Sequence, residues 1–145
     1  MPHIGNSHEF AEMASELLGE LNVSHAGGRY RSFIANGDAT ASLGIFMDYK
    51  HDGNGIKIAE VIKGGPLDKA AFNLKKGIII EKINGELITP DRDVATYLNR
   101  IANTFTLLDI VDEKGKRNQI TVKPISLGVE NGLLYTRWVL SLIHI

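Results

Sequence analysis

The sequence predicts an α+β protein: a small, partly open β-barrel capped by two helices and preceded by one amphipathic helix. Three observations carry that prediction. Apolar residues recur at three- and four-residue spacing over His8 to Leu21, near the start of the chain. From Gly44 onward the period falls to two, in short runs separated by glycine-rich turns. Between residues 34 and 126 the runs follow the order β-β-short α-β-β-α-β-β, and strands mixed with two helices over so short a stretch suggest one small capped barrel.

Each element has its own local reason. In the first helix Phe10, Met13, Ala14, Leu17, Leu18 and Leu21 form one apolar stripe. Asn6 or Ser7 serves as its N-cap, with Glu9 and Glu12 at the positive end of the dipole. Gly19 costs that helix about 1 kcal/mol of propensity, which points to close packing there. A helix this short is marginal alone, so its stripe needs a partner, and the following domain need not be that partner.

Gly44 to Lys50 and Ile56 to Lys63 read as strands joined by the turn "HDGNG". "GGPLDKAA" reads as a turn into a short helix, with Pro66 suited to its first position. Ile78 to Ile83 is a continuous apolar strand, turned by Asn84-Gly85 into Glu86-Leu87-Ile88. Thr89-Pro90 caps a helix over about 91–102, with Val94, Leu98 and Ile101 on one face. Thr104 to Val111 and Gln119 to Ile125 close the domain as a hairpin around "DEKGKR".

Composition excludes several functions. Sixteen basic against seventeen acidic residues leave a formal charge of -1, no footprint for nucleic acid or an anionic membrane. The absence of cysteine removes disulfides, thiol nucleophiles and cysteine metal sites. No apolar run approaches the ~20 residues that span a bilayer. His3, His8, His51 and His144 have no metal-ligand spacing such as H-E-x-x-H, and no metal or organic cofactor is implied. No G-x-S-x-G occurs, and neither Ser126 nor Ser141 has the surroundings of a nucleophile. "MPHIGNSHEF" lacks the basic-then-apolar order of a secretory signal. A cytoplasmic location is the expectation, with a periplasmic parent the alternative, since any signal peptide would be missing from a fragment.

Two blocks resemble a PDZ domain of the bacterial protease-associated kind. "ASLGIF", Ala41 to Phe46, matches the hydrophobic-Gly-hydrophobic loop that leads into the peptide-pairing strand. "VIKGGPLDKAAFNLKKGIIIEKINGELI", Val61 to Ile88, matches the central block, with Ile78 standing where the family commonly has Asp. The helix from Asp91 stands where the groove-lining helix belongs. The resemblance implies peptide binding by strand addition. Leu43, Gly44, Ile45 and Phe46 would then meet the peptide from the strand side, and Val94 and Leu98 from the helix side. Backbone N–H groups around Leu43-Gly44-Ile45 would hold a terminal carboxylate, glycine permitting the close approach. The plainer readings are that these are core residues of a small β domain, or that the module is a spacer binding no peptide.

Ser24-His25, in "ELNVSHAGGRY", is on its residues alone either the polar end of a helix or part of a catalytic site. A histidine base also needs a nucleophile and an orienting carboxylate nearby in space. Gly27-Gly28 would suit backbone held close to a ligand. A helix ending "ELLGELNVSH" just before a PDZ-like block resembles the tricorn protease family, self-compartmentalising serine peptidases related to the C-terminal processing proteases. Gly19, Glu20, Leu21, Asn22, Ser24 and His25 match that family's motif, and "GLLYTRWV" resembles the opening of its second protease half. The resemblance implies His25 as general base, Ser24 as a relay serine, and a nucleophilic serine further downstream. It also implies peptide or unfolded-protein substrates and a homo-oligomeric parent.

The expected organisation is a protease half-domain end over 1–33, a PDZ-like domain over 34–126, and the start of the second half over 127–139. The tail 140–145, "LSLIHI", is the translation of a transposon end used in preparing sequencing libraries, so it is expected to be non-native, with the reading frame truncated there and the true start left open; the alternative is a native apolar tail. The alternative is a stand-alone PDZ adaptor without chemistry, for which residues before Asn36 and after Pro124 would be dispensable.

Overall fold

Asn6 starts the first helix. Its backbone is extended (φ -155°, ψ 170°), and its side-chain oxygen accepts from the N–H groups of His8 (3.0 Å) and Glu9 (2.9 Å). Glu9 reaches back to accept the Gly5 N–H at 2.7 Å, so the helix end is satisfied from both sides. The structure is a computed structural model that describes residues 4–21, 27–32 and 34–143. These fall into two units, Met1–Gly37 and Asp38–Ile145.

In the first unit α1 runs Ser7–Glu20 and buries none of its residues. Phe10, Leu17 and Leu21 stay exposed, while Met13, Ala14 and Leu18 are half-buried. Among the described residues the packing expected at Gly19 is not found: a Cβ there would meet none of them within 4 Å. Gly28 is the tight position instead. A Cβ on it would lie 2.9 Å from the Ala11 carbonyl, so this glycine lets backbone pack close against α1. Beside it the rings of His8 and Tyr30 meet edge to face at 4.8 Å. Ser24 and His25 lie outside the described residues.

The second unit is built on antiparallel strands. These are β1 (Ala41–Ser42), β2 (Ile45–Met47), β3 (Ile56–Val61), β4 (Ile79–Ile83), β5 (Glu86–Leu87), β6 (Thr106–Val111), β7 (Arg117–Val122) and β8 (Ile125–Ser126). The main sheet has the order β2-β3-β4-β6-β7, with β5 folded onto β4. β1 and β8 pair separately, Ala41 with Ser126 and Ser42 with Ile125. Ile58, Ile80 and Leu108 are fully buried at the middle of the sheet, with Leu67, Ile88 and Val122 nearly so. Asn84 (φ 51°) and Gly85 (φ 83°) make the positive-φ turn expected between β4 and β5.

Three elements depart from expectation. The segment after Pro66 forms no helix but a run of tight turns, Asp68 N–H to Gly65 and Phe72 N–H to Lys69. Asp68 there folds back to accept the Gly64 N–H at 2.8 Å, which competes with helical bonding.

The second helix, α2, covers only Val94–Leu98. Asp93, not Thr89, is its cap and accepts from Ala95 N–H at 2.8 Å. Its end is set from outside. The Arg100 N–H donates to the Ala39 carbonyl at 2.8 Å and Asn99 bridges Thr40, which draws residues 99 and 100 out of helical geometry.

The last predicted strand splits at Pro124. Proline cannot donate to a ladder, and its carbonyl instead accepts the Asn103 N–H at 2.7 Å while the chain crosses to β1. A third helix, α3 (Leu127–Ile143), follows, and Ser126 Oγ accepts from its Val129 N–H at 3.3 Å.

Candidate functional site: the cleft between β2 and α2

β2 is the end strand of the sheet, and its free side is legible from the register. Ile45 pairs with Val61, and the Ile62 N–H donates to the Gly44 carbonyl at 2.9 Å. In an antiparallel ladder that places Ile45 and Val61 in a non-hydrogen-bonded pair, so the N–H and C=O of Ile45 turn away from β3. The register shifts between Phe46 and Met47 because β3 carries one extra residue there, Ala59, and Asp48 N–H then bonds the Lys57 carbonyl at 2.9 Å. Met47 therefore shows its backbone groups to the same open edge. Two residues spaced by two with outward N–H and C=O groups are what an added strand requires.

Beside this edge lies a cleft of about 250 Å³. Ile45 and Met47 line it from the strand and Val94, Ala95 and Leu98 from α2, with Leu43 and Ile56 between them. It is smaller than the ~300–1,000 Å³ of small-molecule sites and suits an apolar side chain or two. Of the expected residues, Ile45, Val94 and Leu98 come together here, and Leu43 is buried behind them. Phe46 takes the other face of β2, where the Arg137 guanidinium of α3 stacks 5.3 Å from its ring centre. Arg137 also pairs with Glu60 of β3 at 2.8 Å. Met47 was legible as a second cleft residue, since positions i and i+2 of a strand share a face.

Gly44 has φ +67°, a conformation that side chains rarely adopt. Its buried N–H donates to Ser42 Oγ at 2.9 Å. The Ser42 hydroxyl, itself buried, donates in turn to Glu130 Oε1 at 2.6 Å. Nothing in the sequence announces that link, because Ser42 and Glu130 stand at opposite ends of the domain. The charged groups lining the cleft are the carboxylates of Asp93 and Glu130, with no lysine or arginine among the described lining residues. A larger cavity of about 610 Å³ lies by the β6–β7 turn, ringed by Lys75, Lys76, Lys114 and Lys116 together with Asp112 and Glu113. It is lined by none of the β2 edge residues. Among the described residues no group of three or more His, Asp or Glu side chains is placed to hold a metal ion.

Comparison with known proteins fits this geometry. The family described as "Tricorn protease PDZ domain" matches residues 41–126, from β1 through β8. Among solved structures, the crystal structure of the tricorn protease superposes with a TM-score of 0.50 at 18% identity, covering 61% of this chain and 9% of that one. The photosystem II D1 C-terminal processing protease superposes at 0.47 and 14% identity, covering 84% of this chain and 34% of that one. No curated protein matches the sequence. The chain thus spans a small part of both solved proteins, and the family match covers β1 through β8, which supply most of the cleft lining, with Glu130 of α3 beyond it. It belongs to the tricorn protease PDZ domain family.

Proposed function

We propose that this chain is the peptide-binding portion of a serine-type peptidase, and that it takes extended substrate segments as an added strand on β2. The observation that carries the binding role is the open β2 edge, with the outward backbone groups of Ile45 and Met47 beside the apolar cleft. An entering chain would complete the unpaired hydrogen bonds and seat an apolar side chain against Val94 and Leu98.

The peptidase role rests on family membership and on the motifs flanking the module. β1 and β8 pair, so the chain enters and leaves the domain at one place. Adjacent ends are what insertion of one domain into another needs. In the parent, His25 would take the proton of a serine supplied downstream and return it to the leaving amine, with Ser24 relaying His25 to a carboxylate. The chain alone, having no nucleophile in a suitable setting, is expected to hydrolyse nothing.

Adding an unstructured peptide to isotope-labelled protein tests the binding role. Amide and methyl resonances of Ile45, Met47, Val94 and Leu98 are expected to move together, and Val94→Asp is expected to abolish the shifts. Shifts confined to other surfaces would refute the role assigned to this cleft.

A further inference from the structure

We propose that the β2–α2 groove selects internal stretches of extended chain and that Glu130 excludes a free C-terminal carboxylate from it. The inference rests on the peptide-groove reading above and adds the class of ligand.

A loop that receives a terminal carboxylate needs free N–H donors and a neutral or positive surrounding. This loop has neither in full. The Gly44 N–H, held at the turn into β2, is already spent on Ser42 Oγ at 2.9 Å. The Ser42 hydroxyl, buried and with one proton to give, points that proton at Glu130 at 2.6 Å. A carboxylate thus already sits at the end of the loop, supplied by the protein itself.

Glu130 is fixed there by its surroundings. It lies in the first turn of α3, where the helix dipole favours a negative charge. α3 is tied to the sheet further along by Arg137, which pairs with Glu60 and covers Phe46. The other charged group lining the cleft, Asp93, is also a carboxylate. An arriving terminal carboxylate would meet the Glu130 charge at the loop, with no lysine or arginine within the described lining. A chain that continues past the loop as a neutral amide carries no such penalty, while its backbone still pairs with Ile45 and Met47. Like charges set against each other at a binding surface are a common way to reject a wrong partner.

The test uses the 145-residue chain and one pool of fluorescein-labelled heptapeptides ending in valine, leucine, isoleucine or phenylalanine, made once as free acids and once as amides. The amide pool is expected to bind about tenfold more tightly at low salt, the effect of one unit charge at a partly exposed site. Glu130→Gln keeps an acceptor for the Ser42 hydroxyl and removes the charge, so the ratio is expected to fall to within about twofold. Raising salt to about 1 M, where the screening length drops to ~3 Å, is expected to shrink the ratio in the unmutated protein. Acid peptides binding as tightly as amides, or a preference that survives both Glu130→Gln and high salt, would overturn the proposal alone. If neither pool shifts the Ile45, Met47, Val94 and Leu98 resonances, the peptide-groove reading fails and this inference with it.

Discussion

A Cβ built on Gly44 would stand 2.8 Å from Cδ of Pro66 and 3.2 Å from Cα of Gly65. The loop entering β2 is therefore pressed against the turn that follows β3, at a residue whose φ of +67° already favours glycine. Gly44→Ala combines backbone strain with a clash against a rigid ring. It is expected to lower stability by about 2–3 kcal/mol and to displace the β2 edge. Chemical denaturation reads the first effect, and the Ile45 and Met47 amide shifts read the second. An alanine variant of unchanged stability would show that the loop is not held there.

Ser42→Ala leaves the buried Gly44 N–H without its acceptor. Such an orphaned donor costs about 1–3 kcal/mol. Glu130→Ala leaves the Ser42 hydroxyl still accepting the Gly44 N–H, and it is expected to cost less than Ser42→Ala. Equal losses in the two variants, measured by urea unfolding, would mean that Ser42 acts only through Glu130.

The centre of the sheet gives a third expectation. Ile58 is fully buried on β3, within the cluster that includes Ile80, Leu108 and Val122. Ile58→Ala is expected to destabilise by about 2–5 kcal/mol, since little can collapse into the space in mid-sheet. A midpoint shift in urea without a change of slope is the expected signature.

Acid sensitivity follows from the pair Glu81–Arg117 across the sheet, whose guanidinium donates to both carboxylate oxygens at 3.1 Å. The Arg117 hydrogen bonds hold the Glu81 carboxyl below the usual glutamate range. A depressed carboxyl contributes stability that is full above its ordinary pKa and is lost as pH falls through the lowered value. Arg117, shifted upward, keeps its charge throughout that window. Stability of the unmutated protein is thus expected to fall more steeply below about pH 4.5 than that of Glu81→Gln. Superimposable acid profiles would remove the pair from the account.

Much of this architecture was legible residue by residue. Asn6 announced the first helix because a short side chain at that position satisfies orphan N–H groups. Asn84-Gly85 announced its turn because few residue pairs accept positive φ twice. Helical spacing put Val94 and Leu98 on one face, and the family resemblance placed them with Ile45 at the groove.

What escaped was decided by partners far along the chain. α2 stops at Leu98 because Thr40 and Ala39 capture Asn99 and Arg100, a pairing no local pattern encodes. The segment after Pro66 resembles a helix start, but Asp68 prefers the Gly64 N–H. The Ser42–Glu130 link joins the two ends of the domain and leaves no periodic trace.

The proposed parent is a peptidase in which His25 is the general base and this module binds the substrate. The most direct measurement is the turnover of a fluorogenic peptide by the intact parent protein and by its His25→Ala variant. Triad members act as a unit, so kcat is expected to fall by about four orders of magnitude or more, with the peptide affinity of the β2–α2 groove retained. A variant that turns over at close to the unmutated rate would contradict it.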